Sequence, residues 1–544
     1  MRKKTLSALL CTVAAMAVLT GCGGDKKETA AAPAEANTTV AVTEAAKTEA
    51  ETTAAVQTEA GGEKNLVMPS ASCVANLNPL LEGYKEAAML NPIYDPLYVI
   101  DVNETRYYLA DSYEVSEDGM QITVKLKEGL KWHDGEAITA DDMIFTMDVC
   151  SDTNNGAGGT NIVILNDQPV KYEKVDDLTV KVTLPMASAS YADLLGGLTL
   201  IPEHVFEGNP SVVSAGEANM KGIGSGPYKV TEFKQDEYLL LEKYEDYYMG
   251  VPSIDKVTFR IISDLSAQEV ALMNGEVNFM ELANAPAVAK YEADPNFTVV
   301  KYPEGRVNYL AVNKFCETVQ DPKVVEAVFA ALNRDEIIAG AYGDGMAESA
   351  NSIFSNVNTF YDSSVEGYTQ DVEKAKQLVK ETGLDSKTLT LYFNSERVYM
   401  KESAQIIQQQ LKNVGINLEV IPLESAGFFE KVFGTDGDYE FYLNGYGAVG
   451  DPDQVVAGMY DGTWGVNLAV SDEVSQLWKD ARTVYTPEER AAIYKQIQIQ
   501  TRDELTCYPI AYPNYVFVTT SNIKGADTIK RTPVFEDYTK LTME

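Results

Sequence analysis

Enzymatic chemistry needs reactive groups gathered in number, and this sequence withholds most of them. His133 and His204 are the only histidines in 544 residues, and they stand far apart. A zinc cluster, a histidine-activated nucleophile or imidazole capture of nickel would therefore lack ligands. Neither a GxxxxGK phosphate loop ending in Ser or Thr nor a GxSxG nucleophile elbow occurs. Residues 445–450 (GYGAVG) do spell GxGxxG, behind residues 439–443 (YEFYL), which read as a strand. A dinucleotide pyrophosphate would have to sit at the next helix N-terminus, where Asp451 and Asp453 would occupy the site and repel it. Neighbouring carboxylates such as Asp141-Asp142 and Asp176-Asp177 read as caps and turns rather than acid/base pairs. No catalytic residue, metal site or cofactor is expected, and hence no enzyme.

One thiol does have a chemical context. Arg2, Lys3 and Lys4 precede an apolar stretch from Leu6 to Leu19, too short for a membrane span of about 20 residues. Leu19-Thr20-Gly21-Cys22-Gly23 follows, small residues before a cysteine, as in a bacterial lipobox. Cleavage before Cys22 would leave a thiol to carry diacylglycerol, and two or more acyl chains anchor a protein stably. Residues 1–21 are thus expected to be a lipoprotein signal peptide, with the rest held on the extracytoplasmic face of the cell membrane. Cys11 also lies in the leader. Cys73, Cys150, Cys316 and Cys507 are far apart, with no CxxC or metal-ligand spacing, and buried free thiols are expected.

The elements that position everything else start late. Residues 22–64 are almost wholly Ala, Thr, Glu, Lys and Gly, without an aromatic, and cannot bury enough apolar area to offset ordering entropy. They are expected to form a disordered tether whose ends sit on the order of 35 Å apart. Beyond it, residues 121–127 (QITVKLK) and 178–184 (LTVKVTL) alternate at period two, and strands are also expected at 65–68, 238–242 and 256–262. Helical periodicity runs over 140–149, with Thr139 as N-cap and Asp141 and Asp142 in the first turn. It returns at 266–274, 322–331, 372–381, 402–414 and 487–504. Strands alternating with helices mean mixed α/β lobes. The formal charge of −37 repels nucleic-acid phosphate and anionic lipid, so neither is an expected partner beyond the lipid anchor.

Several blocks, in order from about residue 74 onward, resemble one family. They are Leu109-Ala110-Asp111-Ser112-Tyr113-Glu114 with Glu117-Asp118-Gly119, then Gly129-Leu130-Lys131-Trp132-His133-Asp134-Gly135 with Thr139-Ala140-Asp141-Asp142-Met143. Gly222-Ile223-Gly224-Ser225-Gly226-Pro227-Tyr228 follows, then Ala271-Leu272-Met273-Asn274-Gly275-Glu276-Val277-Asn278. Asp321-Pro322 and Gly450-Asp451-Pro452-Asp453 complete the set. Together they resemble family 5 of the ABC-importer solute-binding proteins, the oligopeptide and dipeptide binders. Each block also has a local reading. Asp118-Gly119 and Asp134-Gly135 are turn formers, Trp132 and His133 pack and cap a turn, His204 belongs to another turn, and the 222–226 glycines permit close backbone approach.

The resemblance implies a type II periplasmic-binding-protein-like fold of two lobes and three structural domains, with a ligand cleft between the lobes. Lobe 1 would be residues 65–99, 222–303 and 508–544, with a subdomain inserted at 100–221, and lobe 2 would be residues 304–507. Two chain crossings would form a hinge, and solute would close the cleft. The implied partners are a peptide or other small solute and ABC permease subunits with their ATPases, the protein itself being a monomer. An oligosaccharide ligand, or a receptor role in nutrient signalling, remains open. Family members grip a peptide's α-ammonium with an aspartate shortly before the Asp-Pro pair, where this sequence has Ala448 and Val449. Either Asp451 takes that role or the ligand lacks a free α-ammonium, and Asp451 suits equally a helix N-cap ahead of Pro452. Ligand contacts are expected from both sides of the cleft: Tyr84, Tyr446, Asp451, Trp464 and Asn467.

Overall fold

The computed structural model describes residues 63–81, 89–100, 104–447, 450–460, 468, 470–528 and 537–544. The signal peptide, nearly all of the tether, Cys22, Tyr84, Ala448, Val449, Trp464 and Asn467 lie outside the described residues.

The first sheet joins distant parts of the chain. Asn65–Ser70 runs parallel to Lys256–Ile261, which is antiparallel to Tyr238–Lys243, and that strand pairs with Tyr228–Lys234. Period-two alternation explains the arrangement. Leu66, Met68, Leu239, Leu241, Val257 and Phe259 fall on one face and share a core. The glycine-rich block ahead of Tyr228 is irregular, and the strand begins only at Tyr228.

A separate antiparallel sheet carries the middle of the first half, in the order Ala110–Val115, Gln121–Leu126, Thr179–Thr183, Lys171–Asp176. Gly119 turns the first hairpin at φ 64°. The helix Ala140–Ser151 starts as its sequence directs: the Thr139 hydroxyl accepts from the backbone N–H of Asp141, and the Asp142 carboxylate accepts from that of Thr139. Its buried face meets this sheet in a core that includes the fully buried Trp132.

The second half is built on a larger sheet whose main path is Phe279–Glu281, Cys507–Thr520, Arg306–Val312, Phe441–Gly447, Thr388–Asn394, Asn417–Leu423. Thr388–Asn394 and Asn417–Leu423 are parallel, joined by the helix Val398–Asn413. That helix starts one turn before the apolar periodicity does. The helices Pro322–Ala331 and Pro487–Asp503 each begin on a proline, whose missing N–H costs nothing in a first turn.

Cys507–Thr520 ties the halves together. Residues 507–511 pair with Arg306–Val312, and residues 514–520 pair with Phe297–Pro303. The strand thus changes sheet partners near Pro513, some residues past the boundary expected at 508. Tyr508, Ile510 and Ala511 still pack in a second-half core, whereas Phe517 packs with the first sheet. The other crossing is the short link from Pro303 to Arg306, where Gly305 adopts φ 73°.

Candidate functional site

Phe441–Gly447 delivers the loop in which ligand contacts are expected. Tyr442 and Leu443 are buried, and Gly447 is exposed as the strand leaves the core. Tyr446 sits half-buried at this end. Its hydroxyl donates to the carbonyl of Ile353 at 2.6 Å and lies 3.1 Å from the hydroxyl of Tyr460. Its ring packs 5.2 Å from that of Tyr309. The hydroxyl is spent inside the protein, so the ring is what Tyr446 can offer a solute.

The chain turns at Gly450, with φ 81°, into Asp451. Of the two roles held open for Asp451, the helix N-cap is the one observed: its carboxylate accepts from the N–H of Asp453, with Pro452 in the first turn. The same buried carboxylate makes a bidentate pair with Arg490 at 2.5 and 3.0 Å, and Tyr494 Oη lies 3.4 Å away. Burial works against the Arg490 charge, but the adjacent Asp451 carboxylate more than offsets it and holds the pKa above its ordinary value. Asp451 therefore fixes the loop, and its oxygens are satisfied within the protein. Asp453 is tied through Oδ1 to Arg482 at 2.6 Å. Burial nonetheless raises its pKa, against the pull of Arg482.

Residues 188–193, a short way past the strand Thr179–Thr183, face Asp451, Asp453 and Gln454. Ser190 Oγ donates to Asp453 Oδ2 at 2.9 Å and lies 2.6 Å from Gln454 Nε2, which donates to it. Asp193 Oδ2 accepts from the N–H of Asp451 at 2.9 Å, and the N–H of Ala189 donates to the carbonyl of Arg482 at 2.9 Å. Sequence reading missed Ser190, Asp193, Arg482 and Arg490. Their partners are remote in sequence, and no local pattern announces them.

His133 proves structural. Its Nδ1 accepts from the N–H of Gly224 and its Nε2 donates to the carbonyl of Gly226 at 2.9 Å, which defines a neutral ring. Burial lowers its pKa to about 4. On the other side of the same segment, the N–H of Gly226 donates to the carbonyl of Ile93 at 2.8 Å. A Cβ on Gly224 would lie 1.9 Å from the Ile93 carbonyl oxygen, so only glycine fits between these walls. His204 lies in a short helical turn, its Nε2 2.8 Å from Asp134 Oδ2. Cys150, Cys316 and Cys507 are buried free thiols, and Cys73 is half-buried.

Residues 104–467 match the model of the bacterial extracellular solute-binding proteins, family 5 middle region. The chain belongs to this family. The dipeptide-binding protein of Escherichia coli (strain K12) is 27% identical over 499 residues, covering 85% of this chain and 92% of its relative. Among solved structures, the ABC transporter substrate-binding protein CtaP of Listeria monocytogenes superposes with a TM-score of 0.82 at 33% identity, over 88% of this chain and 99% of its own. The oligopeptide-binding protein AppA of Bacillus subtilis, solved with a nonapeptide, superposes at 0.69 and 26% identity, over 89% and 99%. The family 5 fold is thus the type II binding-protein architecture, mixed α/β as expected. No helix among the described residues of this solute-binding protein is long and apolar enough to cross a membrane.

Proposed function

We propose that this chain is the substrate-binding component of an ABC importer, taking up a peptide outside the cell and presenting it to a membrane permease. The observation that carries the reading is likeness over nearly the whole folded chain to proteins named for peptide binding, one of them solved with a peptide. The lobes would be residues 65–99, 222–303 and 508–544 with the subdomain at 100–221, against residues 304–507, moving about the two crossings near Gly305 and Pro513. Solute would lie near the place where Asp451, Asp453 and Gln454 face residues 188–193. The ring of Tyr446, with Tyr84, Trp464 and Asn467, would supply contacts, and Asp451 would hold the loop in place. With Asp451 paired to Arg490, a peptide's free α-ammonium has no carboxylate at this loop position, which favours ligands recognised through backbone groups. Membrane attachment would come from a lipid on Cys22, and the working unit would be a monomer.

Mass spectrometry of the material released on denaturing the purified protein tests this reading. Peptides are expected. Adding one of them at 100-fold its dissociation constant should stabilise the fold by about 2.7 kcal/mol in thermal unfolding. Release of sugars alone, with no stabilisation by any peptide, would overturn the peptide reading while leaving solute binding intact.

A further inference from the structure

The surface where the inserted subdomain meets the second half is rich in hydrogen bonds, with the ring of Tyr485 laid against Gly119 beside them. The core around Trp132 is drawn from residues between Leu80 and Val212, and the two cores of the second half from residues between Val307 and Tyr512. Among the described residues, no buried one is common to them. Bodies that touch largely through polar groups and share no core are expected to move relative to one another.

Within that surface one cluster is built to be joined. Arg482 holds Asp453 by Oδ1, which turns Oδ2 toward the subdomain. The Gln454 amide is presented beside it. A single hydroxyl, that of the fully buried Ser190, donates to the carboxylate and accepts from the amide, so it satisfies both at once. Asp453 and Gln454 belong to the second half, both in the helix that Asp451 caps, and Arg482 holds Asp453. When the bodies separate, water takes over each of these bonds, so the net gain on joining is small. A small gain suits a device that biases closure without completing it.

We propose that Ser190, Asp453 and Gln454 form a closure latch that sets the fraction of closed molecules, and thereby scales affinity for every solute by one common factor. The inference rests on the solute-binding reading above. Apparent affinity falls in proportion to the population of the binding-competent state. Loss of a charge-assisted hydrogen bond at the latch should therefore raise Kd by roughly 3- to 30-fold. A residue touching solute would instead change some ligands more than others.

The test is calorimetric titration of wild type, Ser190→Ala and Gln454→Ala with several peptides that the wild type binds, alongside the melting temperature of each unliganded protein. Gln454 is only half-buried, so its variant serves if Ser190→Ala does not fold. The expected result is the same fold-increase in Kd for every peptide, with the unliganded melting temperature unchanged. Wild-type affinity in the variants, a reordering of peptide preference, or a matching loss of unliganded stability would each overturn the latch and spare the function. A wild type that binds no solute would overturn both.

Discussion

Two ionisable residues of the first half, the half-buried His133 and the buried Asp95, respond to pH in opposite senses. His133 is held neutral because desolvation lowers its pKa to about 4, and both ring nitrogens serve the glycine-rich segment. Its folded pKa lies below the unfolded value, so its contribution is complete above pH 6.5 and is lost as pH falls toward 4. Asp95 is the reverse: burial raises its pKa to about 7, despite hydroxyl donors from Tyr247 and Tyr248. Its contribution is complete below pH 3.8 and is gone once pH has risen through 7. His133→Gln should remove roughly 3 kcal/mol of the stability gained between pH 4 and 6.5, making that limb shallower. Asp95→Asn keeps an acceptor for both tyrosines and should make the same limb steeper. Urea denaturation across pH 4–7 checks both, and slopes that match wild type would count against these assignments. From sequence, His133 was legible as structural because it sits in a turn block, but the backbone groups it bonds lie about 90 residues away. Asp451 was legible as a cap because Pro follows it. Arg490 as its partner was not, since the two meet only after the fold brings together positions separated by 39.

Among elements, those with a one-sided burial pattern could be read directly. Gln121–Leu126 and Thr179–Thr183 alternate because one face is buried. Pro322–Ala331 starts and stops where its proline and apolar periodicity indicate. Cys507–Thr520 could not be read that way: it is buried along most of its length and carries two prolines, so period-two contrast disappears and turn signals mislead. Yet this strand joins the two sheets. The glycine-rich segment before Tyr228 was recognisable as a close-approach site, and its chemistry makes a sharp comparison. Gly224→Ala would press a methyl into the Ile93 backbone, whereas Gly129→Ala meets nothing within 4 Å and carries only the strain of φ 76°. Gly224→Ala should cost about 3 kcal/mol or more and Gly129→Ala about 1–2 kcal/mol in chemical denaturation. Equal costs would mean that residues 222–227 are not clamped between Ile93 and His133.

For the whole molecule, the decisive feature is how little of the chain passes between the two halves. One link between Pro303 and Arg306 and one strand, Cys507–Thr520, carry the chain between the halves, whose cores are separate except where Met346 and Tyr342 pack with first-half residues such as Leu272 and Val288. Sequence blocks located the family because they encode turns and crossings that any such body needs. They left the facing surfaces unread, because Ser190 and Asp453, 263 positions apart, carry no mutual signature. Small-angle X-ray scattering of the purified protein, before and after saturation with a peptide it carries, tests directly whether the halves swing together on their solute. The radius of gyration should shrink on saturation. An unchanged value under saturating peptide would contradict a molecule that works by closing.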